Sequence, residues 1–194
     1  MRARIVIVGG GVIGICIAMH AAQRTDALRE PVMLLERGRI GAGSSGGSTA
    51  VLRQFYASPC TAGMARDSLK YLAGLEGRTS RSVGFTPSGV LTLARSRTPA
   101  EIERLEGVVA MMVSIGIDAR VVRAEEIRDL MPGIDVPDAT VAAWEPTAGF
   151  VDSTRTLDAL VTFARDHGAV VRTGTAVEQL LVEGDRVVGV RTPR

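Results

Sequence analysis

The sequence predicts an α/β fold built on a parallel sheet, and three features near its start lead to that fold class. Residues 5–8 and 32–35 are continuous apolar runs, which are typical of strands buried on both faces. An apolar, helix-forming stretch runs from residue 12 to about Thr25, directly after three glycines. A strand, a helix and a strand in this order form a βαβ unit, which is right-handed in nearly all proteins.

Two further helices are predicted from apolar spacing and caps. Residues 60–75 place Met64 and three leucines where they can share one face. Thr98 begins the next helix, because its side chain can form a capping box with Glu101. Gly116 is the expected end of that helix.

The C-terminal part predicts one more helix among several strands. Asp152 or Ser153 caps this helix, and Gly168 closes it. A Gly184-Asp185 turn predicts a hairpin of the apolar stretches beside it. The remaining predicted strands cover residues 90–93, 140–145 and 169–172. The stretch "ARVVRAEEIRDLMPG" predicts a short strand and then a short helix that Pro132-Gly133 ends.

Composition excludes several classes of protein. The chain has 194 residues, of which 46% are hydrophobic and 23% charged, and its net charge of +2 is too small to favour nucleic-acid binding. Cys16 and Cys60 fit a reducing, cytoplasmic compartment. His20 and His167 are too few for a metal cluster, so no metal is expected.

A membrane or secretory segment is also not expected. No apolar run reaches the roughly 18 residues that a membrane span requires. Arg2 and Arg4 before an apolar block resemble a signal peptide, which is the alternative interpretation of this segment. Three consecutive glycines divide that block, and this favours a nucleotide-binding turn instead.

The stretch Gly9-Gly10-Gly11-Val12-Ile13-Gly14 fits the dinucleotide-binding pattern G-x-G-x-x-G. In that pattern the first glycine permits a tight turn, the second lets a pyrophosphate approach the backbone, and the third allows close packing of helix on strand. Glu36 ends the next strand, where an acidic side chain can accept hydrogen bonds from a ribose. The alternative is a glycine-rich turn in an unrelated α/β fold, and the pattern alone does not distinguish FAD from NAD.

The sequence after Glu36 resembles the FAD-dependent amino-acid and amine oxidase family, which includes glycine oxidase, sarcosine oxidase and D-amino-acid oxidase. The resemblance is carried by the Gly/Ser-rich "ERGRIGAGSSGGSTAVLRQFY", then by "PSGVLTLA" and "EEIRDLMPGI", and finally by the segment from "WEPTAGFVDSTRTL" to "GDRVVGVRT". A surface linker is the alternative interpretation of the Gly/Ser-rich loop. The ordered set of matches is more specific than the glycine motif alone.

The resemblance implies a set of cofactor contacts for FAD. The motif glycines Gly9, Gly11 and Gly14, together with Glu36 and Arg37, would bind the ADP half. The path from the pyrophosphate to the flavin would be lined by Ser44, Ser45 and Thr49. Val177 would contact adenine through its backbone, while a buried strand residue is the alternative for this position.

Arg53 is the residue to which the resemblance gives a role in substrate binding. A guanidinium can hold a carboxylate with two parallel hydrogen bonds, and in sarcosine oxidase an arginine at this position helps to hold the substrate carboxylate. The alternative is a surface arginine that forms a salt bridge.

The resemblance also implies domains and a function. Residues 1–80 and 146–194 would form an incomplete Rossmann-type FAD-binding domain, with 81–145 as part of an inserted α+β substrate domain. The expected function is oxidation of the C–N bond of an amino acid or secondary amine by hydride transfer to flavin. The chain would be the N-terminal part of such an enzyme, so we expect self-association or pairing with a missing C-terminal half. The alternatives are an FAD dehydrogenase of a hydroxy acid or polyol phosphate that feeds a quinone, and a non-catalytic assembly subunit.

Overall fold

The computed structural model describes residues 3–24, 31–94 and 98–193, and confirms the predicted α/β fold class. The chain divides into two compact units. The first comprises Met1–Thr49, Leu75–Gly84 and Asp152–Arg194, and the second comprises Ala50–Gly74 and Phe85–Val151. Residues 50–74 belong to the second unit, whereas the sequence placed them before a boundary at residue 80. The assignment of FAD-binding and substrate domains stays a prediction.

The first unit contains a parallel sheet with strand order β1-β2-β8. Its strands are β1 (Ile5–Val8), β2 (Val32–Leu35) and β8 (Val170–Arg172). All four residues of β2 are buried, as the continuous apolar run predicts for a central strand. The βαβ prediction is therefore confirmed.

Two helices of the first unit pack against each other. They are α1 (Val12–Ala22) and α6 (Ser153–Asp166). Asp152 caps α6 as predicted, because its carboxylate accepts a hydrogen bond from the N–H of Arg155 at 2.8 Å. The predicted end of α1 at about Thr25 lies outside the described residues.

The rest of the first unit is a short helix and a hairpin. The helix α3 (Leu75–Thr79) buries Leu75 completely. The strands β9 (Gln179–Glu183) and β10 (Arg186–Arg191) pair antiparallel around Gly184, so the predicted hairpin is confirmed.

The second unit is built around an antiparallel sheet whose strands, in spatial order, are β4 (Val90–Leu93), β6 (Val141–Glu145) and β5 (Arg120–Arg123). Its helices α4 (Pro99–Ser114) and α5 (Ala124–Leu130) pack against this sheet. Alternate residues of the central strand β6 belong to two different apolar clusters, because successive side chains of a strand point to opposite faces. Val141 and Ala143 pack with α4, while Ala142 packs with α5.

Three more elements complete the second unit. They are β3 (Val51–Leu52), α2 (Pro59–Ala73) and β7 (Gly149–Phe150), of which β3 and β7 pair with each other. The prediction that Met64 and Leu75 share one face of a single helix is wrong. Met64 is 65% exposed, and α2 ends at Ala73, so Leu75 begins a separate helix in the first unit. Within the described residues, no helix is long and apolar enough to cross a membrane.

Candidate functional site

The glycines of the motif form the turn between β1 and α1. Gly9 has φ +107°, a conformation that glycine adopts at little cost. Its N–H donates to the carbonyl oxygen of Leu35 at 2.8 Å, which ties the turn to the end of β2. A Cβ built on Gly14 would lie 2.1 Å from the carbonyl oxygen of Gly9, so a side chain there would collide with the backbone.

The first turn of α1 presents backbone N–H groups. Gly11 is the N-cap residue, and it has no side chain to accept their hydrogen bonds. The N–H of Val12 donates to Oγ of Ser45 at 3.0 Å. Among the described residues, the N–H groups of Ile13 and Gly14 have no partner. A helix start of this kind is suited to bind an anion.

Glu36 follows β2 and lies against the glycine turn. Its Oε2 accepts the N–H of Gly10 at 2.7 Å, and its Oε1 accepts the N–H of Gly38 at 2.7 Å. The bond from Gly38, and then that from Gly10, lower the pKa of Glu36 despite the opposing effect of burial. A carboxylate can accept about four hydrogen bonds, so acceptor positions remain for a ligand hydroxyl.

The Gly/Ser-rich loop, residues 37–49, folds onto the same turn. The N–H of Gly41 donates to the carbonyl oxygen of Gly10 at 2.9 Å, and the N–H of Gly46 donates to the carbonyl oxygen of Gly41 at 3.0 Å. A Cβ on Gly46 would lie 2.3 Å from that Gly41 oxygen. The bond from Gly41 ties the loop to the glycine turn, whereas the alternative interpretation made the loop a surface linker.

The other predicted cofactor residues lie in the Gly/Ser-rich loop and in the segment before β9. Arg37, Ser44 and Thr49 are exposed side chains of the loop. Val177 is partly buried and precedes β9, so it is not the buried strand residue that the alternative interpretation expected. The segment that contains Val177 begins beside Glu36, because the N–H of Thr175 donates to the Glu36 carbonyl oxygen at 2.8 Å.

Arg53 belongs to the second unit, where it follows β3 with an exposed side chain. Its Nη1 donates to the carbonyl oxygen of Phe55 at 2.7 Å. Its Cζ lies 4.7 Å from the ring centroid of Tyr56, within cation–π range. The guanidinium is thus oriented by its own chain segment.

Glu145 is a buried acid that the sequence analysis did not single out. Glu145 lies at the end of an apolar strand, directly before Pro146, and this position predicts only that it belongs to the strand. Its side chain is fully buried, and its carboxylate accepts hydrogen bonds from Gln54 and Phe55, the two residues after Arg53. Across the described residues, no group of three or more His, Cys, Asp or Glu side chains is placed to hold a metal.

Comparisons with known proteins identify the family. A curated relative, the pyruvate dehydrogenase phosphatase regulatory subunit of Mus musculus, is 28% identical over 193 residues; the alignment covers 100% of this chain and 21% of the relative. Dimethylglycine dehydrogenase of Rattus norvegicus is 28% identical, with 100% and 22% covered. The crystal structure of L-proline dehydrogenase from P. horikoshii superposes with a TM-score of 0.88 at 25% identity, covering 98% of this chain and 49% of that chain.

The chain therefore spans between about a fifth and a half of the length of these proteins. The model of the family described as FAD dependent oxidoreductase matches residues 4–194, which is nearly the whole sequence. This protein belongs to the FAD dependent oxidoreductase family.

Proposed function

We propose that this chain holds the ADP half of FAD in an enzyme that oxidises the C–N bond of an amino acid or secondary amine. The observation that carries the proposal is the position of Glu36. Its carboxylate is fixed by Gly10 and Gly38 beside the glycine turn and the start of α1. This arrangement supports a ribose acceptor next to a pyrophosphate site.

The start of α1 fits a pyrophosphate. Gly11 carries no Cβ, and a Cβ built there would lie only 3.1 Å from Oγ of Ser45, so glycine lets this hydroxyl lie close to the start of α1. The N–H groups of Ile13 and Gly14 would donate to phosphate oxygens. The Ser45 hydroxyl accepts from Val12 and retains its own hydrogen to donate.

The remaining proposed contacts are those with the ribose, the path to the flavin and the adenine. Glu36 would accept from the ribose hydroxyls, with Arg37 beside it on the loop. The exposed residues Ser44 and Thr49 would line the path towards the flavin. Val177 would meet adenine through its backbone, and the bond of its segment to Glu36 supports that placement.

Arg53 would bind the carboxylate of the substrate. FAD, when bound, supplies the acceptor for the hydride that leaves the carbon beside the amine nitrogen. The guanidinium uses one of its five donors on Phe55, which leaves a planar set for a carboxylate. Dimethylglycine and L-proline, the compounds in two relatives' names, both carry a carboxylate beside a substituted amine.

The proposal also covers the cellular compartment of the protein and its association with another chain. Cys16 and Cys60 are free thiols, which supports a reducing compartment such as the cytoplasm. Val8, Ile13 and Ile17 are 57%, 74% and 49% exposed on the first unit, which supports self-association or pairing with a C-terminal half.

A second candidate function is a non-catalytic subunit of an assembly. The mouse relative favours it, because a protein that matches this entire chain is named a regulatory subunit. In that case FAD would bind with no turnover of amines.

The test combines FAD titration with amine oxidation. Quenching of flavin fluorescence measures FAD binding by the wild type and by Glu36→Gln. We expect Glu36→Gln to bind FAD about 10- to 100-fold more weakly, because the amide removes an acceptor that the ribose requires. Reduction of an artificial dye by dimethylglycine then measures activity. Wild-type FAD binding without turnover, also in the presence of the proposed C-terminal half, would favour the regulatory subunit. Equal FAD binding by the wild type and Glu36→Gln would refute the proposed site.

Arg53 is tested with matched variants in the same dye assay. Arg53→Ala should raise KM for dimethylglycine by about 10- to 100-fold, while KM for the uncharged N,N-dimethylglycinamide stays within about twofold. Arg53→Lys keeps the charge and loses the planar pair of donors, so it should give an intermediate KM. Equal effects on the two substrates would rule out a carboxylate contact.

A further inference from the structure

We infer that Glu145 is a positioning residue that holds Arg53 in the geometry needed to bind a substrate carboxylate. This inference rests on the proposed role of Arg53. Glu145 is the last residue of β6 and is 0% exposed. Its carboxylate accepts three hydrogen bonds, from the Gln54 N–H at 2.6 Å, the Phe55 N–H at 3.2 Å and the Gln54 Nε2 at 3.4 Å.

These bonds satisfy backbone groups beyond the end of the pairing between β3 and β7. β3 pairs with β7 only at Val51 and Leu52, so the next residues have no neighbouring strand to accept from their backbone. Buried N–H groups without a partner are costly, and the Glu145 carboxylate satisfies two of them in succession. Arg53 is therefore fixed on one side by β7 and on the other by Glu145.

The same residues that Glu145 holds orient the guanidinium. Phe55 donates its N–H to Glu145, and its carbonyl oxygen accepts from Nη1 of Arg53 at 2.7 Å. Tyr56, the next residue, lies beneath the guanidinium at 4.7 Å. A shift of the Gln54–Phe55 backbone would move both contacts of Arg53 together.

The chemistry of the pocket suits a carboxylate rather than an amide at position 145. All three contacts are donors, and a carboxylate offers only acceptor oxygens. Burial raises the pKa of Glu145, while the bonds from Gln54 and Phe55 and the positive charge of Arg53 oppose that increase. In Glu145→Gln, the new NH2 group would face a backbone N–H, so one hydrogen bond would become a repulsion between donors.

The experiment compares Glu145→Gln with the wild type and with Glu126→Gln, a change to a partly exposed acid of the same unit that serves as the control. KM and kcat are measured for dimethylglycine and for N,N-dimethylglycinamide, together with flavin content. Because a misplacement of about 1 Å in a positioning contact costs up to roughly 100-fold, we expect KM for dimethylglycine to rise about 10- to 100-fold in Glu145→Gln. The amide substrate, the flavin content and the control variant should show no comparable change.

A merely structural role predicts a different result. It would lower the flavin content or affect both substrates equally, and either outcome would overturn the inference. Where Glu145→Gln does not fold, Glu145→Asp decides by the same criteria, since it keeps the charge and shortens the side chain by one methylene group.

A second measurement separates failure of this inference from failure of the proposed function. The Nε–Hε NMR signal of Arg53, assigned by its absence in Arg53→Lys, reports the mobility of the guanidinium without any substrate. We expect a restricted signal in the wild type and a mobile one in Glu145→Gln or Glu145→Asp. An unchanged signal refutes the positioning role, whereas a mobile signal with unchanged KM refutes the carboxylate role of Arg53.

Discussion

Replacing Gly14 by alanine is expected to destabilise the first unit, because the added methyl group meets backbone and not a movable side chain. The Cβ would lie 2.1 Å from the carbonyl oxygen of Gly9 and 3.4 Å from Cγ2 of Ile7. No rotamer change relieves a contact with a carbonyl oxygen, so α1 must move away from β1. Overpacking of this kind costs about 1–3 kcal/mol.

Gly43→Ala is the matched control in the same unit. An ideal Cβ at Gly43 has no heavy atom within 4 Å, and the residue does not need a positive φ. The same methyl group should therefore change the free energy of unfolding by no more than about 0.5 kcal/mol. The contrast between Gly14 and Gly43 isolates the close approach of helix and strand from the general effect of losing a glycine.

Thermal unfolding followed by circular dichroism measures both variants. For a chain of this length, 1 kcal/mol corresponds to a shift in Tm of about 2–4 °C, so Gly14→Ala should unfold roughly 2–12 °C below the wild type. Gly43→Ala should stay within about 2 °C. A Gly14→Ala protein with the wild-type Tm would show that the turn can open, and the steric argument for this glycine would fail.

Two further predictions concern the acid and the apolar surface of the first unit. Glu36→Gln should lower the free energy of unfolding by about 1–3 kcal/mol at pH 7, because one backbone N–H then faces an amide NH2. The pKa of Glu36 is lowered in the folded state, so its contribution is present above the unfolded value of about 4.3 and is lost as the pH falls through the folded value. The difference in the free energy of unfolding between the wild type and Glu36→Gln, measured by urea unfolding, should thus shrink as the pH is lowered. A difference that does not change with pH would contradict this prediction. The isolated chain should associate through its exposed apolar residues, so light scattering should detect oligomers. The variant Ile17→Lys should reduce the oligomeric fraction. A monomer that co-purifies with stoichiometric flavin would contradict this prediction.

Most elements of the first unit could be predicted because their signals are local, although β1 is not buried on both faces as its apolar run predicts, since Val8 is 57% exposed. A glycine turn needs glycine at particular positions, and a strand buried on both faces needs an unbroken apolar run. Glu36 is prominent in the sequence because it ends such a run, and in the structure its carboxylate accepts the N–H of Gly10 in the glycine turn. The folding of the Gly/Ser-rich loop could not be predicted, since it depends on bonds such as that from Gly41 to Gly10.

The second unit shows where sequence reasoning ends. Glu145 lies about 90 positions from the residues that it holds, and no periodicity connects it with Gln54. An acid at the end of a strand is usually exposed, so its type suggested no buried role. The pairing of β3 with β7 was missed for the same reason, because strands of two residues carry too little pattern.

Glu36 and Glu145 use one structural device with opposite consequences for a ligand. Each carboxylate accepts backbone N–H groups, from Gly10 and Gly38 in one case and from Gln54 and Phe55 in the other. Hydrogen bonds dominate at Glu36 and lower its pKa, whereas burial dominates at Glu145 and raises its pKa. Glu36 retains acceptor capacity beside the glycine turn, so the ribose contact that we propose for it would be direct. Glu145 has no exposed surface, so it can act on a substrate only by fixing the backbone that carries Arg53.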